Sequence, residues 1–217
     1  MKLILKLSVT LLLLITALTA LGYFFWYKPK FIATKNAGSF VYKTTAGGAV
    51  ASQRLREKAV SLKEYSKLNQ CNSEYCFMVD MKIASGINRF FVYNFKKDSI
   101  EMAGLVSHGR GRNVLSSIQF SNSANSLCTS LGKYKIGNSY NGKFGLAFKL
   151  YGLDATNSNA YNRFVVLHGH PCVPNAETAP LPICESWGCP TVTPLFLKEL
   201  KQYIDRSKKP VLLDIYY

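Results

Sequence analysis

Apolar residues run from Leu7 to Tyr27, interrupted only by Ser8, Thr10, Thr16, Thr19 and Gly22. A run of about 20 residues is long enough to cross a bilayer as a helix. Lys2 and Lys6 precede it, Lys28 and Lys30 follow, and Trp26 and Tyr27 sit where an interfacial aromatic anchor belongs. Ala20-Leu21-Gly22 is a tolerable cleavage site, but the chain stays aromatic and apolar through Tyr27. Residues 1–30 are therefore read as an uncleaved signal-anchor, with a cleaved, secreted form as the alternative. Basic residues flank both ends, so orientation rests on the short N-terminus staying inside while the body is exported.

Residues 31–49 are basic, with scattered Gly, Ser and Thr, and read as a linker. The remaining 50–217 form one domain with a helical lead-in over 50–70, where Leu55, Ala59, Leu62 and Ser66 recur at helical spacing and Arg54, Lys58, Lys63 and Lys67 lie elsewhere on the surface. From Tyr75 to Ile83 the period changes to two, with Phe77, Val79, Met81 and Ile83 alternating. Arg89–Phe95 and Ile100–Ser107 read as the next two strands. Arg110–Ser130 is rich in Gly, Asn and Ser and reads as a long loop. Leu131–Leu150 reads as a hairpin turning at Tyr140-Asn141-Gly142. Arg163–Leu167 is a short buried strand, Pro171–Pro190 an irregular proline-rich loop, and Pro194 starts a short helix carrying Leu195, Phe196, Leu200 and Ile204. Pro210–Tyr217 alternates like a last strand. Many short strands with a helix near each end of the body define a mainly β class, a β-sandwich or partly closed barrel.

The chain of 217 residues carries a formal charge of +15. Such a surface attracts anionic lipid, nucleic acid or an acidic polymer such as a cell wall. No nucleic-acid motif accompanies the charge, which leaves lipid and wall. Six cysteines suit an oxidising compartment. Cys71 and Cys76 are close enough to pair and Cys172 and Cys184 bracket a loop, but spacing alone leaves the connectivity open.

Two segments carry chemistry. Val166-Leu167-His168-Gly169-His170 ends a strand, and Glu185-Ser186-Trp187-Gly188-Cys189-Pro190 lies just before a helix. A cysteine nucleophile acts as the thiolate, so it needs a base in reach and donors for the developing oxyanion. Gly188 permits a turn that other residues resist, and Pro190 fixes the chain on the far side. Two other readings stand beside this one: a buried or disulfide-bonded Cys189, and a zinc site built from His168, His170 and His108.

His168-Gly169 followed by Ser186-Trp187-Gly188-Cys189-Pro190 resembles the YkuD-like L,D-transpeptidases, in the branch known as the murein L,D-transpeptidase catalytic domain family. Ser107-His108-Gly109-Arg110-Gly111, Thr129-Ser130-Leu131-Gly132-Lys133-Tyr134 and Tyr140-Asn141-Gly142-Lys143-Phe144-Gly145 fit the same pattern. The resemblance implies a YkuD-like fold. It also implies that Cys189 attacks the third-residue carbonyl of a peptidoglycan stem tetrapeptide, giving a thioester that an amine resolves to a 3-3 crosslink or water to a trimmed stem. His168 would be the base, held by the carbonyl of Gly169. Gly188 and Cys189 N–H groups would form the oxyanion hole and Ser186 would position the loop. His108, Arg110, Trp187 and His170 are candidates for the substrate groove. No cofactor or metal is implied. The expected partners are stem peptides and the inner membrane, not nucleic acid, and the expected location is the bacterial envelope. A non-catalytic wall-binding module on the same fold is the alternative.

Overall fold

The alternating tail of the chain becomes the middle of the sheet. In the computed structural model, which describes residues 2–28, 48–112 and 118–217, β8 (Leu212–Tyr216) pairs in parallel with β1 (Tyr75–Asp80) and antiparallel with β4 (Gly132–Gly142). On the β1 side follow β2 (Phe90–Asn94) and β3 (Ser99–Gly104). On the β4 side follow β5 (Gly145–Gly152), β6 (Val166–Gly169) and β7 (Thr191–Val192). The eight strands run in the order β3-β2-β1-β8-β4-β5-β6-β7. The two edges curl back toward each other: Val106, just beyond β3, bridges Val192 in β7, and the Ser107 N–H donates to the Thr191 carbonyl at 2.8 Å. The fold is mainly β and partly closed, as the strand pattern implies.

Each central strand is buried on both faces, and its period of two divides the side chains between two cores. Phe77, Val79, Phe90, Val92, Leu213 and Ile215 pack with Phe196, Leu197 and Leu200 of the C-terminal helix (Pro194–Arg206). Cys76, Met78, Phe91, Tyr93 and Leu212 pack on the opposite side with Leu55, Ala59 and Leu62 of a helix over Gly48–Leu68. The alternation Phe77-Val79-Met81 captured one of these faces only. The Gly48–Leu68 helix also reaches two buried carboxylates, Arg54 to Asp80 at 3.3 Å and Lys58 to Asp214 at 3.7 Å. Burial pushes the Asp214 carboxyl up, against the pull of Lys58 and Lys133. Gly104 has no side chain because the Phe196 ring lies against it; a Cβ there would sit 2.8 Å from ring carbons.

Two local expectations are revised, and the cysteine connectivity that spacing left open is resolved. The hairpin does not turn at Tyr140-Asn141-Gly142: β4 continues to Gly142, which pairs with Gly145, and the reversal falls on Lys143-Phe144. Gly145, at φ +83°, supplies the left-handed residue that this reversal needs. The strand expected over Arg163–Leu167 begins only at Val166. Before it, Val165 N–H closes back on the Ala160 carbonyl at 3.0 Å around Phe164, whose φ is +56°, a turn that leaves the Phe164 ring exposed. Cys172 and Cys184 form a disulfide with Cα atoms 6.1 Å apart, whereas Cys71, Cys76, Cys128 and Cys189 are free. Cys71 and Cys76 are both buried in the core beneath the Gly48–Leu68 helix and remain unpaired thiols.

A further helix covers Lys2–Leu21 and passes into a π-helical turn over Gly22–Tyr27. The span Lys6–Tyr27 has mean hydropathy 2.1 and none of it is buried, so this helix is long and apolar enough to cross a membrane. Most of the linker assigned to 31–49, and residues 113–117 of the Gly/Asn/Ser-rich loop, lie outside the described residues.

Candidate active site

The segment Ser186–Pro190 is a tight turn held by its own side chain. Ser186 Oγ donates to the Cys189 carbonyl at 2.6 Å and accepts from the Gly188 N–H at 3.1 Å. Gly188 sits at φ +117°, and a Cβ there would lie 2.8 Å from the Cys128 carbonyl, so both conformation and space require glycine. Thr129 Oγ1 donates to the Gly188 carbonyl at 3.3 Å from the far side. The turn presents the Cys189 side chain, half-buried, to a cavity of about 480 Å³. The Cys189 sulfur lies 3.8 Å from the Phe164 carbonyl oxygen. Burial pushes the Cys189 thiol above its usual 9.0, countered by a backbone hydrogen bond from Val166 and by the positive Arg163. Among the described residues the Cys189 N–H makes no hydrogen bond, while that of Gly188 is taken up by Ser186.

His168 reaches the same cavity from β6. Parallel pairing of β6 with β7 sets Thr191 directly beside it, so the residue two beyond Cys189 is registered to the histidine. His168 Nδ1 lies 3.2 Å from the Gly169 carbonyl, which can only accept, so Nδ1 carries the proton and Nε2 the lone pair. Nε2 lies 3.0 Å from Thr191 Oγ1, whose hydroxyl has the Cys189 carbonyl at 3.4 Å as a second acceptor. Burial lowers the His168 pKa below 6.5, against the Gly169 hydrogen bond, so the ring is neutral at pH 7. Phe144, brought in by the shifted hairpin turn, stacks on His168 with centroids 5.5 Å apart and meets His170 edge-on at 5.0 Å. His170 Nδ1 accepts the Cys172 N–H at 3.1 Å, tying it to the disulfide-closed loop.

The segment His108-Gly109-Arg110 lies alongside Ser186: Ser186 N–H donates to the His108 carbonyl at 2.8 Å and Arg110 N–H to the Ser186 carbonyl at 3.0 Å. The Arg110 guanidinium then sits 5.9 Å from the centre of the Trp187 ring, which is exposed on the cavity wall. His108 does not join His168. Its Nδ1 accepts from Arg89 at 2.9 Å, and burial, with Arg89 beside it, lowers its pKa to about 4. It is a fixed neutral donor through Nε2, not a second base. Among the described residues no three His, Cys, Asp or Glu side chains converge to hold a metal ion.

Sequence reasoning passed over four residues that build this site. Arg163 donates to the carbonyls of Ser121 and Cys128, at 2.8 and 2.7 Å, and fastens the loop on which Gly188 rests. Thr191, Phe144 and Arg89 contact the imidazoles. Phe144 stood in a segment already singled out; the other three had no local signal, because each acts through a partner distant in sequence.

Residues 48–213 match the L,D-transpeptidase catalytic domain family of the YkuD type, and the chain belongs to that family. Among solved structures it is similar to the helical cell shape determining protein Pgp2 from Campylobacter jejuni, at 15% identity and a TM-score of 0.44 over 65% of this chain and 46% of that one. It is also similar to the Ldtfm–avibactam carbamoyl enzyme, at 13% identity and a TM-score of 0.40 over 66% of this chain and 49% of the other. The chain thus spans less than half the length of these two proteins. No curated protein matches it.

Proposed function

We propose that this chain is a peptidoglycan L,D-transpeptidase or L,D-carboxypeptidase that works through a thioester on Cys189. The observation that carries the reading is that Cys189 and His168 line one cavity, with His168 Nδ1 committed to the Gly169 carbonyl. Nε2 takes the thiol proton once the Thr191 hydroxyl turns to the Cys189 carbonyl. The thiolate attacks the third-residue carbonyl of a stem tetrapeptide, and the oxyanion is met by the free Cys189 N–H. The C–N bond to the terminal D-alanine breaks, and the imidazolium returns its proton to the leaving amine. An amine of a second stem then attacks the thioester to give a 3-3 crosslink, or water attacks to give a free carboxylate; His168 takes the nucleophile's proton, the C–S bond breaks, and the proton returns to the departing Cys189 sulfur.

The same reading places residues 1–30 as an inner-membrane anchor, 31–49 as a spacer and 50–217 as the catalytic domain on the outer side. The apolar exposed span Lys6–Tyr27 and the net charge of +15, suited to anionic lipid and wall polymer, support it. The test is incubation of the full chain, in nonionic detergent, with a stem tetrapeptide, followed by intact-mass and product analysis. A thioester adduct that disappears in Cys189→Ala is expected. Full activity in Cys189→Ala refutes the mechanism. Co-sedimentation with sacculi and no change in muropeptides points to a wall-binding module.

A further inference from the structure

The turn that leads into β6 touches the candidate nucleophile twice, and the acyl transfer uses neither contact. Its backbone reverses at Phe164, whose φ of +56° is unusual for a bulky residue. Such a departure is retained where the surrounding structure demands it. Here the Phe164 carbonyl oxygen lies 3.8 Å from the Cys189 sulfur. Arg163, one residue earlier, backs the nucleophile turn: its Nη2 would lie 3.4 Å from a Cβ on Gly188. The guanidinium donates to the carbonyls of Ser121 and Cys128, at 2.8 and 2.7 Å, to Ser126 Oγ at 3.1 Å and to Ser130 Oγ. All four acceptors are uncharged, and among the described residues no carboxylate is paired with Arg163. Its hydrogen bonds are filled while its charge is unmatched.

These two contacts pull the thiol in opposite directions. A carbonyl oxygen accepts the S–H and opposes a thiolate, whereas a fixed cation favours one. The other charged and titratable groups around Cys189 do not supply that cation. On the cavity side stand Lys143, His168, His170 and Glu185. Lys143 is exposed, so water and salt screen its ammonium. His168 is neutral at pH 7, and His170 Nδ1 accepts the Cys172 N–H and so bears no proton. Glu185 has the wrong sign. On the core side stands Tyr134, whose hydroxyl donates to the Ser130 carbonyl at 2.7 Å and is kept protonated by burial. Arg163 is left, a half-buried cation that holds its charge at every working pH. It lies behind the turn and not on the cavity wall, so it acts whether or not a substrate is bound.

We propose that Arg163 is a positioning residue whose unmatched charge holds the Cys189 thiolate once His168 has taken the proton. Its purpose rests on the acyl-transfer reading, but its test needs no turnover. The full-length chain in nonionic detergent is alkylated with iodoacetamide across about pH 7 to 10, and modification of the Cys189 peptide is followed by mass. In Arg163→Gln the rate at about pH 8 should fall about fivefold or more, with the whole profile moved to higher pH. Arg163→Lys keeps a charge but loses the fork, so its rate should stay within about twofold of the parent even where its Tm falls. Ser126→Asp leaves Arg163 in place and gives it a carboxylate where it now has a hydroxyl at 3.1 Å. That variant should be alkylated about threefold more slowly, with Ser126→Asn unchanged. Equal rates in Arg163→Gln and Arg163→Lys, or in Ser126→Asp and Ser126→Asn, overturn the proposal and leave the arginine a clasp for its loop. Where Arg163→Gln does not fold, the Ser126 pair decides. Thioester formation on a stem tetrapeptide is followed separately in the unsubstituted chain. Its absence with the charge dependence intact overturns the acyl-transfer reading and leaves the counter-charge standing.

Discussion

Acid should weaken this fold in a share that one imidazole, His108, carries. His108 has a side chain 15% exposed, with a buried arginine against one nitrogen. Burial first, and the Arg89 charge second, lower its pKa from 6.5 to about 4. The folded value lies below the unfolded one, so the stabilisation is complete above pH 6.5 and is lost as the pH falls toward 4. One pKa unit corresponds to about 1.4 kcal/mol, so moving from pH 7.5 to 4.5 removes about 2–3 kcal/mol. His108→Asn isolates this share, because the carboxamide oxygen can accept the Arg89 N–H while the side chain cannot take up a proton. For a domain of this size that loss is a drop in Tm of roughly 5–10 °C. Thermal unfolding of both proteins at the two pH values reads it. The Asn variant should lose that much less on acidification, whatever its stability at pH 7.5. An equal acid-induced drop in both would show that His108 is not held neutral by Arg89.

Gly188→Ala adds a strained φ and a contact with the Cys128 carbonyl at 2.8 Å, and should cost about 2–4 kcal/mol; an unchanged Tm would refute the account of the turn. The Cys189 thiol is pushed above 9.0 and the His168 imidazole below 6.5, both by burial, so the free protein holds a neutral pair at pH 7. Its iodoacetamide alkylation rate should still be rising at pH 9; a plateau near pH 6 would reveal a preformed thiolate–imidazolium pair instead. Replacing Cys172 and Cys184 together by serine removes a crosslink across 12 residues and should cost about 3 kcal/mol in thermal unfolding, with no loss counting against a stabilising role.

The β class was legible because it depends on a period of two repeated over several segments, and Phe77-Val79-Met81 carries that period openly. The second core was not. Cys76, Met78 and Tyr93 occupy the complementary positions of the same strands, and an apolar residue on both faces erases the contrast on which an alternation is judged. The place of β8 was equally hidden. An alternating tail predicts a strand, but its partners, β1 in parallel and β4 antiparallel, come from distant parts of the chain. The hairpin turn shifted for a local reason: Asn141-Gly142 is a strong turn signal, yet the glycine adopting positive φ is Gly145, and the reversal follows it.

The same distinction divides the candidate site. The turn around Cys189 needs a glycine at one backbone conformation and a hydroxyl that bonds within three residues, and both lie in Ser186-Trp187-Gly188-Cys189. Such requirements leave a signature in one short segment. Thr191 matters because β6 and β7 pair in parallel with His168 opposite it, and Arg89 matters because it lies against an imidazole 19 residues on. Neither residue type is unusual where it stands, so neither carries a local mark. His108 joins the two cases: its segment was marked, but its role was set by Arg89. A histidine near a cysteine nucleophile reads as a base until its partner is known, and an arginine on Nδ1 makes it a donor. The chemistry of the candidate nucleophile is thus written in its own turn, whereas the electrostatics around it are written in strand register.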